Sequence, residues 1–317
     1  MNPSPEFQIV EQLKSLSGDD PGVVLGIGDD AAILAPADGN HLVACVDTLI
    51  EGVHFPQDTA SHAVGHKCLA VNLSDLAAMG ARPRWATLAV SLKRDDAAWI
   101  QEFAQGWRAL AQRHQVSLVG GDTTRTSGPI SVTVQVLGEL PVGQGLTRTG
   151  AQPGDQIAVT GNLGGAAMAL RCLQTRQQIP PGLRASLDQP EPRLAAGHAL
   201  LTLASACIDL SDGLAADLPH ILTDCGLGAK VDVSALPLHP ALQQLPRQES
   251  LKLAVGGGDD YELCFTYPPD DHEMVTERLQ QAQQSFSVIG TITSEPGLNW
   301  IGLGSDSVVQ GYGHFRD

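Results

Sequence analysis

The chain has 317 residues, 43% of them hydrophobic, and its 19 basic and 35 acidic side chains give a formal net charge of −16. That length accommodates two ordinary domains with full cores, and the acidic balance argues against a nucleic-acid partner, which a basic face would mark. No apolar run approaches the roughly 20 residues of a membrane span, and the opening Met-Asn-Pro-Ser-Pro-Glu has neither a basic start nor an apolar core.

In chain order, residues 23–27 and 41–47 read as strands, and a helix over 61–79 opens at Ser61 and stops at Gly80. A strand over 86–92 precedes a helix over 95–115, which starts at an Asp-Asp pair and lines up Trp99, Phe103, Trp107 and Leu110 on one stripe. Residues 129–140 form the clearest strand. There Ile130, Val132, Val134 and Val136 alternate with Ser131, Thr133 and Gln135, so one face is buried and the other is polar or open to a partner. The Gly- and Pro-rich stretch 141–155 marks a domain boundary, separating 1–145 from 146–317. Beyond it come a strand over 156–160, helices over 164–173 and 191–205 (Pro192 in the first turn of the latter), a strand over 206–210 and a helix over 212–225 ending before Gly226. Strands near 230–233, 261–267 and 286–292 follow. This alternation predicts an α/β fold in two α/β domains of similar size. The six cysteines (45, 68, 172, 207, 225, 264) are scattered without a Cys-x-x-Cys pair, as expected for reduced thiols in a cytoplasmic protein.

Acidic residues recur at glycine-marked turns: Gly-Ile-Gly-Asp29-Asp30, Val-Asp47-Thr, Asn72-Leu-Ser-Asp75 and Gly120-Gly121-Asp122-Thr-Thr-Arg125 in the first half. Ile-Asp209-Leu-Ser211-Asp212-Gly213 and Gly256-Gly-Gly-Asp259-Asp260-Tyr-Glu262 continue the series. Several close short apolar runs, which would set the carboxylates at strand ends, where sheet proteins build sites. Crowded carboxylates raise each other's pKa unless a cation compensates, and an oxygen-rich, thiolate-poor set suits Mg²⁺. Any one of these turns is equally satisfied by an Asp acting as a cap. The halves echo each other: Gly-x-Gly-Asp-Asp occurs at 26–30 and 256–260, and Ser-Asp-Leu-Ala-Ala at 74–78 resembles Ser-Asp-Gly-Leu-Ala-Ala at 211–216. The order is reversed, so this is no simple tandem repeat. On the helix over 61–79, Asp75 continues the stripe of Val64, Cys68 and Val71. A carboxylate so placed needs either a cation, with Asn72 one turn away, or a salt bridge to Arg82 or Arg84.

The chain has no Gly-x-x-x-x-Gly-Lys-[Ser/Thr] loop and no His-Arg-Asp loop, and none of its five lysines sits in a glycine-rich turn. The turn Thr160-Gly161-Asn-Leu-Gly164-Gly165 suits an anion at the N-terminus of the following helix, or is a plain strand-to-helix loop. Acidic turns, helix N-termini and Arg125 and Arg148 in turns point together to a polyphosphate held through metal ions. A glycosidase would not need six acidic turns, and 4% aromatic content is poor for sugar stacking.

Longer segments carry a more specific resemblance. Gly-Ile-Gly-Asp-Asp-Ala-Ala, Asp47-Thr-Leu-Ile-Glu-Gly-Val-His54-Phe, Asn-Leu-Ser-Asp-Leu-Ala-Ala-Met-Gly-Ala-Arg-Pro and Gly-Gly-Asp-Thr-Thr-Arg follow in order. Thr147-Arg148-x-Gly-Ala-x-Pro-Gly-Asp, Asp-Leu-Ser-Asp-Gly-Leu, Gly-Gly-Asp-Asp-Tyr-Glu-Leu and the terminal Gly-Tyr312-Gly-His-Phe complete the set, from about residue 6 to 315. The series resembles the thiamine-monophosphate kinase family, within the superfamily of aminoimidazole ribonucleotide synthetase-like ATP-using enzymes. The resemblance implies two α/β domains with mixed sheets flanked by helices, an N-terminal one dimerising through its sheet to give a homodimer and a C-terminal one closing over the nucleotide. It implies direct in-line transfer of the ATP γ-phosphate to thiamine monophosphate, yielding thiamine diphosphate and ADP without a phosphoenzyme.

Position by position, the resemblance makes Asp30, Asp47, Asp75, Asp122, Asp209 and Asp212 the Mg²⁺ ligands. Gly121, Arg148 and Ser211 match nucleotide-contacting positions, and His54, Glu262 and Tyr312 match substrate-contacting ones. The substrate is then expected between domains that close on it, with Tyr312 stacking on a thiamine ring and Glu262 accepting from the aminopyrimidine. Asp29, Asp259 and Asp260 are read as turn caps, and no residue is assigned as a catalytic base. The chain departs from the family pattern at Cys45-Val46, where Ser or Thr is usual, at Gly164-Gly165, where an acidic residue is usual, and in lacking a tyrosine around 103–107. Sister enzymes that activate selenide or a carbamoyl group fit less well, since the chain opens Met-Asn-Pro-Ser-Pro and closes His-Phe-Arg-Asp without their reactive cysteines. A non-enzymatic ATP-binding regulator would not need so many metal ligands.

Overall fold

The alternation at Val132, Val134 and Val136 produces the strand Ser131–Pro141, with those three side chains fully buried and Gln135 exposed. In the computed structural model, which describes residues 5–94, 96–303 and 311–313, this strand belongs to the first of two compact units. The first takes in the chain to Leu76 and Ala81–Gly143; the second takes in Ala77–Gly80 and the chain from Gln144 onward.

The first unit contains α1 (Pro5–Lys14), the short pair β1 (Val23–Leu25) and β2 (Ile33–Leu34), β3 (Asn40–Ile50), α2 (Ser61–Ala78), β4 (Arg82–Leu92), α3 (Ala97–His114), β5 (Ser117–Arg125) and β6 (Ser131–Pro141). Its main sheet runs β3-β6-β4-β5, parallel between β4 and β5 and antiparallel elsewhere. The stripe read on α3 is the buried one: Phe103, Trp107 and Leu110 sit in the core, and the rings of Trp99, Phe103 and Trp107 stack in series at 5.2 and 6.4 Å. Asp96 caps α3 by accepting the Trp99 amide at 3.1 Å, while Asp95 lies outside the described residues. Helices α2 and α3 cross where Gly65 faces the Phe103 carbonyl and Gly106 faces the His62 carbonyl, and a Cβ at either would collide with backbone. Only glycine permits that approach. A charged triad closes one side of the sheet: Arg84 reaches Asp20 at 2.6 Å and Glu139 at 2.7 Å, with its guanidinium 4.8 Å from the Trp85 ring centroid.

The second unit contains β7 (Gln156–Thr160), α4 (Gly165–Gln174), α5 (Leu183–Asp188), α6 (Leu194–Leu200), β8 (Ala206–Asp209), α7 (Leu214–Cys225), β9 (Gly228–Asp232), α8 (Arg247–Gly256), β10 (Leu263–Tyr267), α9 (His272–Gln281), β11 (Phe286–Thr293) and β12 (Gly297–Ile301). Its sheet runs β12-β9-β11-β7-β10-β8, parallel only between β12 and β9. Every residue of β8 and β10 is buried, as expected of strands that end in a site rather than at the surface. Both sheets are mixed and layered with helices, an α/β fold in two domains.

Several elements differ from the sequence expectation. The helix expected over 191–205 is only Leu194–Leu200: Pro190 and Pro192 delay its start, and Leu201 (φ −51°, ψ 131°) with Thr202 (φ 68°) ends it early. The segment Gly120–Arg125, read as a turn, lies inside β5, because pairing to β4 overrides the weak strand preference of two glycines. Asp47 likewise sits within β3 rather than at its end. Helices α1, α5, α8 and α9 and strand β12 were not anticipated.

Candidate active site

In the first unit the sheet and α2 bring Asp47 and Asp75 together. The two carboxyls share a hydrogen bond, and burial raises the pKa of Asp47 above the usual carboxylate range. Cys45 lies against the same pair; burial and then the charges of Asp75 and Asp47 push its thiol well up, so it is a neutral neighbour rather than a thiolate. Its Sγ points to the Asn72 carbonyl at 3.4 Å, and Asn72, fully buried, spends its own amide on the Cys68 carbonyl at 3.0 Å. Arg84 pairs with Asp20 and Glu139 and Arg82 donates to Gln115 at 3.1 Å, while Asp75 shares its hydrogen bond with Asp47. His54 is held by the chain it follows: the Ile50 amide donates to its Nδ1 at 3.0 Å, leaving the proton of the neutral ring on Nε2, and buried Lys67 donates to its carbonyl at 3.1 Å.

Asp30 and Asp122 do not join that pair. Asp30 is exposed between β1 and β2, its amide donating to Asp29 Oδ1 at 2.9 Å. Asp122 pairs across with Ala89 and Asp47 with Val134, so both stand at nearly the same level along the strands. With β6 and β4 between their strands, however, they are separated by three strand spacings, about 14 Å of sheet. Gly121 has a structural reason of its own, since a Cβ there would collide with the Leu88 carbonyl.

In the second unit, three motifs far apart in sequence converge. The Leu210 amide donates to the Glu262 carbonyl, and the Tyr261 amide to Leu210 and the Asp259 amide to Ser211, each at 2.8 Å. The Tyr312 amide donates to the Asp212 carbonyl at 3.0 Å. Asp209, Ser211, Asp212, Glu262 and Tyr312 thus share one corner, at the ends of β8 and β10; Arg148 is exposed on the loop before β7. His314 and Phe315 of the terminal motif lie outside the described residues. The loop 257–262 is strained, with Asp259 (φ 68°) and Tyr261 (φ 49°) in the left-handed region and the Tyr261 hydroxyl donating to Asp259 Oδ1 at 3.0 Å. Such strain persists only where surrounding bonds over-determine it, as the pairing to Leu210 and Ser211 does here.

Four residues of this corner were not read from the sequence as site components. Glu262 accepts from Thr160 Oγ1 at 2.7 Å and from Arg193 Nε and Nη2, both at 2.6 Å, in a nearly buried network. Asp217, on the first turn of α7, is pushed up to about 7 by burial and by the neighbouring charges of Asp209 and Asp212. Asp260 accepts the Gly164 amide at 2.8 and 3.0 Å, so the N-terminus of α4, read as a place for an anion, is capped by the protein's own carboxyl, whose pKa burial raises well above the usual range. Asp217 left a trace in the sequence as an acid in the first turn of a helix, and Asp260 as an acid at a glycine-marked turn; Thr160 is placed by the pairing of β7 with β10, and Arg193 by the start of α6. Among the described residues no three acidic, His or Cys side chains converge on one metal-sized point.

The motif order agrees with comparison to known proteins. Residues 28–140 match the AIR synthase related protein N-terminal domain and residues 152–301 its C-terminal domain. The thiamine-monophosphate kinase of Salmonella typhimurium (strain LT2) is 42% identical over 302 residues, 92% of each chain. The chain belongs to the thiamine-monophosphate kinase family. A solved family structure, the thiamine-monophosphate kinase of Stenotrophomonas maltophilia K279a, superposes with a TM-score of 0.85 at 42% identity, covering 94% of this chain and 95% of that one. AaThiL complexed with AMPPCP and TMP superposes with a TM-score of 0.78 at 28% identity, covering 98% and 97%. Relative to the usual pattern of the thiamine-monophosphate kinase family, Cys45 is thus a half-buried neutral thiol beside Asp47 and Asp75 where a hydroxyl is common.

Proposed function

We propose that the chain is an ATP-dependent thiamine-monophosphate kinase. A phosphate oxygen of thiamine monophosphate attacks the ATP γ-phosphorus, the bond to the β-bridging oxygen breaks, and thiamine diphosphate and ADP result. The observation that carries this reading is the convergence of Asp209–Asp212, Glu262 and Tyr312 at one strand-end corner, in a chain 42% identical to a thiamine-monophosphate kinase across its length. The AaThiL complex with AMPPCP and TMP supports the same pair of ligands.

Mg²⁺ is the metal this reading requires, and the donor set fits it: carboxylate oxygens in twos, with the nearby thiol held neutral. Mg²⁺ typically takes one or two carboxylates and completes its shell with water and substrate phosphates, so a cluster of three protein ligands is not needed. Asp47 with Asp75 would hold metal in the first unit and Asp209 with Asp212 in the second, with Asp30 and Asp122, which stand apart from the Asp47–Asp75 pair, as the remaining ligands of this reading; metal held there would supply positive charge to neutralise phosphate oxygens. The chain's own groups bind and orient. Arg148 offers a fork to phosphate and Ser211 a hydroxyl, Gly121 lets nucleotide approach backbone, and His54 presents an Nε2–H donor. Glu262 has three of its roughly four acceptor positions occupied, which leaves one for an amino group of substrate.

The chain acts as a homodimer joined through the first unit's sheet. The support is β3, an edge strand of that sheet with Leu42 and Val46 more than half exposed on one face, a row of the kind proteins cover. A cytoplasmic location is the fitting one: among the described residues no helix is long and apolar enough to cross a membrane, and the six cysteines are free. Incubation with ATP, Mg²⁺ and thiamine monophosphate should yield thiamine diphosphate. A protein that binds ATP but neither binds nor converts thiamine monophosphate would instead be a nucleotide-binding regulator.

A further inference from the structure

Asp217 belongs to none of the groups assigned above to nucleotide, metal or substrate, yet it is 4% exposed and bonded directly to the segment that carries two of them. Helix α7 begins on Gly213, which has no side chain to cap it and sits at φ 99°, ψ 154°. A helix starting on glycine leaves its first amides without a local side-chain acceptor. Asp217 supplies one from inside the helix: the Asp212 amide donates to Oδ2 at 3.0 Å, and the Gly213 amide bonds the same carboxyl. A side chain at position 213 cannot take over this role, because at φ 99° its Cβ would collide with the Gly257 backbone, so these amides are met by a buried carboxyl even though the charges of Asp209 and Asp212 oppose it.

We propose that Asp217 is a positioning residue, which holds the Ser211-Asp212-Gly213 backbone so that Ser211 and Asp212 present their side chains together. The other side of that segment is already pinned, by the Asp259 amide on the Ser211 carbonyl and the Tyr312 amide on the Asp212 carbonyl. On the α7 side the Ala216 and Asp217 amides hold the Gly213 carbonyl at 2.8 and 3.0 Å, and the Asp217 carboxyl adds the bonds that hold the Asp212 and Gly213 amides. The inference rests on the kinase reading for its rate readout alone.

The test uses the full chain as wild type, Asp217→Ala and Asp217→Asn. Each is followed by thermal unfolding, hydrogen exchange at the 211–213 amides, calorimetric titration of Mg²⁺ in the presence of AMPPCP, and turnover. In Asp217→Ala, exchange at the Asp212 amide should speed up about tenfold, as one lost hydrogen bond allows. The Mg²⁺ needed for half-saturation should rise similarly, and kcat should fall with little change in KM for thiamine monophosphate. Asp217→Asn keeps an acceptor oxygen and should restore exchange and metal requirement to within about twofold. A folded Asp217→Ala with wild-type exchange and metal requirement overturns the proposal, and so does an Asn variant as impaired as Ala. If Ala does not fold, Asp217→Ser, too short to span the turn, takes its place with the same expectations. A wild type that binds AMPPCP and Mg²⁺ but makes no thiamine diphosphate would sink the kinase reading while leaving exchange and metal binding to decide Asp217.

Discussion

Replacing Glu262 by Gln tests whether the corner is held by charge or only by shape. The native carboxylate takes three bonds, one from Thr160 and two from Arg193, with side-chain exposures of 5% for Glu262 and 25% for Arg193. Gln preserves the outline but turns one acceptor into an NH₂ that confronts the guanidinium, so one charge-assisted bond is lost and the Arg193 charge is left poorly paired. A hydrogen bond to a charged group contributes about 1.5–3 kcal/mol, and breaking a buried pair from one side costs about 3–5 kcal/mol. The partial exposure of Arg193 lets water relieve some of this, so we expect about 3 kcal/mol. For a unit of this size that is a fall in Tm of roughly 6–12 °C. A double-mutant cycle with Arg193→Met isolates the pair: the double variant should be less destabilised than the sum of the singles by about 1–3 kcal/mol. Differential scanning calorimetry and urea unfolding of the four proteins provide the numbers. A Glu262→Gln variant within about 0.5 kcal/mol of wild type, or strict additivity, would refute the argument that this charge pair fastens β10 to the site.

Four further outcomes follow from named contacts. Burial alone would raise Asp20 and Glu139, but hydrogen bonds (from Arg84 to Asp20; from the Ala37 amide and Arg84 to Glu139) hold both below the usual carboxylate range. Their contribution is therefore present above the unfolded pKa and lost as pH falls through the folded one, so urea midpoints should drop below about pH 4 and Arg84→Gln should flatten that dependence. Asp75→Asn should reduce turnover by orders of magnitude yet leave metal-free thermal stability unchanged or higher, since it removes one of two crowded carboxylates; near-normal turnover would remove Asp75 from the metal set. Leu42→Glu with Val46→Lys should yield a folded monomer in sedimentation, whereas a wild type already monomeric at micromolar concentration contradicts the dimer. Tyr312→Ala should raise the KM for thiamine monophosphate about fivefold, the equivalent of about 1 kcal/mol of aromatic contact, with AMPPCP affinity by calorimetry unchanged.

The residues that the sequence alone placed well are those whose environment is decided by near neighbours along the chain. Val132, Val134 and Val136 are buried because a strand's period of two needs only one covered face, and the α3 stripe is buried because a helix repeats every 3.6 residues. The motif order pointed to the family for a similar reason, since each motif is a short, self-contained piece of backbone chemistry. What lay beyond reach depends on register between distant segments. Gly120–Arg125 reads as a turn until β4 supplies the partner that makes it a strand, and only the strand order separates Asp122 from Asp47. Asp260 looks like one more acidic turn, and becomes the cap of α4 only because β7 and β10 are paired. Arg193, between two prolines and a short helix, carries no local mark of the role it plays for Glu262, 69 residues away. Periodicity is written in the chain. The company a buried charge keeps is settled by tertiary pairing, because burial makes an unpartnered charge too costly to leave and lets any segment that arrives supply the partner.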